Sequence, residues 1–175
     1  MAAEQVFLQF SIDKLRQLQG RIDACLKRLR EDQVWLRGSR NENAVGNLCL
    51  HLAGNVRQWI LHGVGAQADT RVRDLEFAAE GGKTKAELQA LLSETVAQAA
   101  GLLGGLRADD LLRRTQVQKY DLTVLEAIYH VVEHFAQHTG QIVFATKAFT
   151  GEDLGFYAHL GRRGPRAPAG KPRQP

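Results

Sequence analysis

Proline is nearly missing from this sequence, and its four copies all fall within the last eleven residues. Nothing before that end is forced to break a helix. With 44% apolar residues, the body has the composition of a chain that buries a core, not of a disordered one. Long apolar runs are absent too: none approaches the ~20 residues needed to span a bilayer. No N-terminal stretch combines a charged start, an apolar centre and a small-residue cleavage site. The expectation is a cytoplasmic protein with no membrane partner. Cysteine is scarce. Cys25 and Cys49 each sit in apolar helical positions and form no C-x-x-C pair, so two buried reduced thiols are expected. No Ser-His-Asp order, phosphate-cradling glycine motif or dinucleotide fingerprint occurs.

An excess of acid is also lacking, and the formal charge of +4 invites a nucleic-acid reading. The excess is local, however. Residues 161–175 hold Arg162, Arg163, Arg166, Lys171 and Arg173 and no acid; without these five, 18 Lys and Arg face 19 Asp and Glu. A near-neutral body is not a phosphate-tracking surface, which disfavours a nucleic-acid partner. The expected organisation is one domain over residues 1–160 and a disordered basic Pro/Gly-rich tail over 161–175.

What is present is helical periodicity. Val6, Phe10, Leu15, Leu18, Ile22, Cys25, Leu26 and Leu29 recur mostly at three- and four-residue steps, predicting a first amphipathic helix from about Glu4 to Arg30. Asn41 or Asn43 can cap a second helix running to about Leu61. A long connection over residues 62–83 follows, with a short strand or turn expected around Arg71 to Phe77. Thr84 with Glu87 and Thr123 with Glu126 are capping boxes, opening a third helix to about Leu103 and a fourth to about Phe149. With no convincing alternating strand, the pattern predicts an all-α four-helix bundle, with a crossover between helices two and three.

Chemistry concentrates in helix four. His130, His134 and His138 stand at four-residue steps on one side. Four residues advance the axis by roughly 6 Å, a gap that two imidazoles can close onto one ion. His130 and His138 are too far apart to share one, so a single i, i+4 pair binds or none does. The opposite side carries Leu125, Ile128, Val132, Phe135, Thr139, Ile142, Val143 and Thr146, the ordinary core stripe. Ala127, Gln141 and Ala145 lie on the histidine side and are expected to leave space there. In helix two, His51 shares a side with Asn47, Asn55 and Gln58. Buried amides are costly unless they serve one another or a ligand. Two facing polar stripes suit a metal in a bundle core, and a helix covered on most of its circumference favours a dimer.

The segments His51-Leu-Ala-Gly-Asn55 and Glu133-His-Phe-Ala-Gln-His-Thr-Gly-Gln-Ile142 resemble the DinB/YfiT-like superfamily of metal-binding four-helix bundles, in particular an uncharacterised branch. The similarity extends over about residues 5–157, including Arg71-Val-Arg-Asp-Leu-Glu-Phe77. The resemblance implies metal ligands at His51, His134 and His138, nickel or zinc as the divalent ion, a homodimer and an up-down-down-up helix order. It places His130 beside the ligand set and leaves His62 and His159 on surface or loop. Relatives include thiol-dependent transferases and isomerases using low-molecular-weight thiols as cosubstrates, and some members have been labelled hydrolases.

Three neutral imidazoles leave at least one open position on the ion, as in catalytic and not closed structural sites. The expectation is a metal-dependent enzyme of thiol-transferase or hydrolase type acting on a small molecule. The alternative is a non-catalytic metal-binding dimer with a structural or sensing role. Glu133 points about 100° away from His134 and is not expected as general base. Asn55 and Gln141 are expected in the pocket, each one turn from a proposed ligand.

Overall fold

The structure, a computed structural model, describes residues 2–161, so the expectation of a disordered tail lies outside the described residues except at Gly161. The chain is mostly helical. Four long helices carry the core: α1 (Ala3–Arg28), α3 (Val45–Val56) with its continuation to Val64, α5 (Lys85–Gly104) and α6 (Val124–Thr150). Short helices α2 (Glu31–Val34) and α4 (Arg73–Ala78) lie in the connections. No helix among the described residues is long and apolar enough to cross a membrane.

Each long helix buries one stripe. Leu15, Ile22 and Leu26 of α1 meet Leu88, Leu92 and Leu103 of α5 and Ile128, Phe135 and Ile142 of α6, all essentially without solvent contact. The packing partners run in a ring, α1 on α5, α5 on α3, α3 on α6 and α6 on α1. End contacts fix the neighbours: Lys85 Nζ donates to the Leu29 carbonyl, and Arg28 pairs with Glu152 at 3.1 Å. Cys25 and Cys49 are free and buried, and burial pushes both thiols up.

Both expected capping boxes form. The Thr84 and Thr123 hydroxyls accept from the backbone N–H of Glu87 and Glu126, whose carboxylates accept from the two threonine N–H groups at 2.7 Å. Helix α6 ends at Gly151, whose φ of 69° is the left-handed conformation that glycine adopts without a Cβ penalty.

Four sequence expectations need correction. Neither Asn41 nor Asn43 caps α3. The cap position is Ala44, whose N–H donates to the Asn47 side chain from inside the first turn at 3.0 Å. Helix two also does not stop at Leu61; it widens into a π-helical segment, Arg57–Val64, and such insertions commonly mark functional sites. Around Arg71 to Phe77 the chain forms α4 and not a strand. Strands do occur, in a hairpin of β1 (Arg114–Val117) and β2 (Tyr120–Thr123), with Arg114 opposite Thr123 and Val117 opposite Tyr120.

Candidate metal centre

His51 projects from the middle of α3 and is almost fully buried; His134 and His138 project from one side of α6 and are partly exposed. Each offers a ring nitrogen, and the three nitrogens lie within 4.8 Å of one another. His51 Nε2 and His134 Nε2 are 2.8 Å apart. The ring centroids of His134 and His138 are 4.4 Å apart, and those of His51 and His138 5.1 Å. The sequence left open which i, i+4 pair of α6 acts. The structure brings His134 and His138 to His51, while His130 lies outside the three, between Trp59, with ring centroids 4.0 Å apart, and His134, at 5.6 Å.

The connection between α3 and α5 supplies what the sequence did not disclose. Arg71 grips Glu76 with both arms of its guanidinium, Nε to Oε1 at 2.7 Å and one terminal nitrogen to Oε2 at 2.8 Å. Glu76 Oε2 in turn lies 2.9 Å from His51 Nδ1. Burial acts to raise the Glu76 carboxyl, but the hydrogen bonds from Arg71 and His51 outweigh it and hold the group below its ordinary value. An ionised carboxylate only accepts, so the Glu76 contact favours the tautomer with the proton on His51 Nδ1 and a lone pair on Nε2 toward the other two rings; a terminal nitrogen of Arg71 also stands 3.1 Å from Nδ1, sharing the Glu76 carboxylate with it. His138 is held in the same sense: its Nδ1 lies 2.7 Å from Gln141 Oε1, an acceptor, which leaves Nε2 unprotonated. Carboxylate or carbonyl partners on the far nitrogen are how metal-ligating histidines are oriented.

Glycine in His51-Leu-Ala-Gly-Asn55 answers to the same strap. A Cβ on Gly54 would collide with the Glu76 carboxylate and stand 2.9 Å from Arg71 Nε. Asn47, expected on the polar stripe, is instead used up in fixing the strap: its amide donates to the carbonyls of Glu76 at 2.8 Å and Ala79 at 2.7 Å. Gln58 is likewise engaged, accepting from Arg71 at 2.9 Å and from Gln118 at 2.8 Å. Ala127, expected to leave open space, is buried in the core. Glu133 is exposed, and its charge acts on His130. His62 is part-buried with Nδ1 on the Gln67 carbonyl at 2.6 Å, and His159 is exposed.

Electrostatics favour neutral rings. Burial, then repulsion from His138, His51, His130 and Arg71, lowers His134 to about 3. Burial also lowers His138, against the opposing hydrogen bond of Gln141. Neutral imidazole is the ligating form, so a metal would meet little proton competition here near neutral pH. Stability should follow. Between a folded pKa of about 3 and the ordinary 6.5 of His134, the unfolded chain binds more protons, so stability of metal-free protein rises with pH through that window and levels off above it. Glu76, shifted down, adds to the loss on the acid side. Urea midpoints of metal-free protein should therefore be lower at pH 4.5 than at pH 7.5; equal midpoints would contradict the assignment of neutral rings.

Beside the triad opens a cavity of about 470 Å³, lined among others by Asn55, Trp59, Tyr120 and His130. The hairpin forms one wall of it. That is ample for a small molecule and too small for a macromolecular segment of any length.

Residues 2–158 match the family described as Protein of unknown function (DUF1572). The chain belongs to this family. A search of curated proteins finds no match for this DUF1572 member. Its fold is that of a conserved protein from Enterococcus faecalis, with a TM-score of 0.68 at 15% identity over 87% of this chain and 99% of that one. A DinB-like protein from Bacillus subtilis aligns with a TM-score of 0.64 at 14% identity, over 84% and 96% of the two chains. A mutant of the mycothiol-dependent maleylpyruvate isomerase gives 0.56 at 12% identity; 81% of this chain aligns, spanning 63% of the isomerase. The fold expected from the resemblance is thus shared with a DinB-like protein and with an isomerase.

Proposed function

We propose that this protein is a metal-dependent enzyme acting on a small molecule, of thiol-transferase or hydrolase type, with His51, His134 and His138 as ligands of one divalent ion. The observation that carries the reading is convergence: His51, His134 and His138 each offer a ring nitrogen within 4.8 Å of the other two, with Glu76 and Gln141 placed to accept from the far-side nitrogens of His51 and His138. Such donors fit zinc or nickel, both of which accept imidazole. Bound there, the ion would supply Lewis acidity and a lowered pKa for a water or thiol in its open position. The chain's own part is positional. Glu76 and Arg71 hold His51 from the buried side, Gln141 holds His138, and the adjoining cavity admits substrate, with a low-molecular-weight thiol as cosubstrate in the transferase reading.

The same reading takes the helices as up-down-down-up. In support, the start of α5 meets the end of α1 through Lys85 and Leu29, and the ends of α1 and α6 meet through Arg28 and Glu152. His51 to His134 and Trp59 to His130 run in opposite chain directions, and Gly65 after helix two approaches Leu102 late in α5. A single domain over residues 1–160, acting as a cytoplasmic homodimer, completes the proposal.

Elemental analysis of protein purified without an affinity tag tests it. About one nickel or zinc per chain is expected, together with thiol-transfer or hydrolase turnover that chelation removes and the same metal restores. No metal would refute the site. Stoichiometric metal that only maintains a dimer, with no turnover, would favour the structural or sensing role.

A further inference from the structure

Resting on the reading of the triad as a reaction centre, we infer that its substrate is a flat, conjugated molecule with a hydrogen-bonding group about one helical turn from the atom that meets the metal, and that Asn55 selects that group. The cavity wall is a run of rings. From the hairpin toward the triad, Tyr120 lies 5.9 Å from Trp59, Trp59 4.0 Å from His130 and His130 5.6 Å from His134, centroid to centroid. Tyr120 is 60% exposed, Trp59 4%, and His130 and His134 partly exposed, so the rings run along the cavity from its hairpin side to the triad. Such a surface favours a planar body by offset stacking or edge contact.

The charged groups at the cavity edge are committed elsewhere. Arg71 is held by Glu76, Asp121 by Arg114, and Glu126 by the cap at Thr123; Arg73 lies over the Phe77 ring. Asn55 differs from them. It is 4% exposed and lines the cavity, yet its side-chain amide has no hydrogen-bond partner among the described residues. Trp59 Nε1, on the same wall, is a buried donor without an acceptor. The Asn55 amide atoms, unlike Trp59 Nε1, are not fully buried, so they are open to a polar group of a ligand in the cavity that they line. Asn55 stands four residues beyond His51 on one helix, about 6 Å along its axis. That offset sets the spacing between the substrate's metal-binding atom and its second polar group.

Cobalt-loaded protein and three hydroxamates, which chelate metals, read this directly. The visible cobalt spectrum reports ligation, and titration gives each affinity. Benzohydroxamate should bind at least about tenfold more tightly than acetohydroxamate, and Tyr120→Ala should narrow that ratio. The 4-hydroxy derivative of benzohydroxamate should gain a further several-fold in the natural protein and lose that gain in Asn55→Leu, whose cobalt spectrum should be unchanged. Cobalt protein that binds the aromatic and aliphatic probes alike, or an Asn55→Leu variant that keeps the 4-hydroxy preference, overturns the inference alone. Protein that takes up no cobalt overturns the metal site itself.

Discussion

Glu76→Ala should lower the thermal midpoint by about 10 °C or more and weaken metal binding at the same time. The Arg71 side chain is 4% exposed and that of Glu76 11%, so little water can replace the lost carboxylate. Removing one partner of such a buried pair typically costs about 3–5 kcal/mol. For a chain of this size each kcal/mol moves the midpoint by roughly 2–4 °C. Loss of the group that orients a ligating histidine adds about a 10–100-fold drop in metal affinity. The two effects separate in the double variant Arg71→Met with Glu76→Leu. Apolar replacement of both partners should recover most of the stability, because no charge is left stranded, while metal affinity stays low. Recovery of both would reduce the pair to a structural strap with no bearing on His51. Calorimetry and competition against a chromogenic chelator measure the two quantities.

His134→Ala should abolish stoichiometric metal retention, reducing affinity beyond the 10–100-fold that loss of an outer partner costs. His134 stands between the other two rings, 2.8 Å from His51 and 4.4 Å between centroids from His138. Without it, His51 and His138 offer only two donors. The effect on metal-free protein runs the other way. His134 is the ring held down to about 3, so its removal deletes a group that protonates on unfolding, and the loss of stability between pH 6.5 and 3 should become shallower. A variant with ordinary metal content would end the three-histidine proposal; an unchanged acid slope would show that burial at this position does not keep the ring neutral.

The long helices were legible because their signals are local. Thr84 with Glu87 and Thr123 with Glu126 each close a box within four residues, and the stripe of Ile128, Phe135, Thr139 and Ile142 repeats at helical steps. His134 and His138 were legible for the same reason, and His51 entered through the polar side that it shares with Asn47, Asn55 and Gln58. The hairpin was not. Its strands have four residues each, and its turn places Gln118 at φ 56° without the Asn-Gly or Asp-Gly that usually announces such a turn. Glu76 and Arg71 were equally silent in their role. They lie in the segment Arg71-Val-Arg-Asp-Leu-Glu-Phe77 that the resemblance covered, but an acid and a base five residues apart read as an ordinary solvated pair. Only the strap's passage over Gly54 makes them partners of a histidine 25 residues earlier.

That histidine also meets a ring 83 residues further along the chain. Two neighbours on α6 come together as soon as their helix winds, within microseconds, whereas the third ring arrives only after a long loop has closed and the second helix has docked. If the three rings hold an ion as proposed, a folding chain would offer a two-pronged chelator before it offers a three-pronged one. Ion release would then be fast from immature chains and slow from finished ones, making residence time on the protein a clock for the completion of folding.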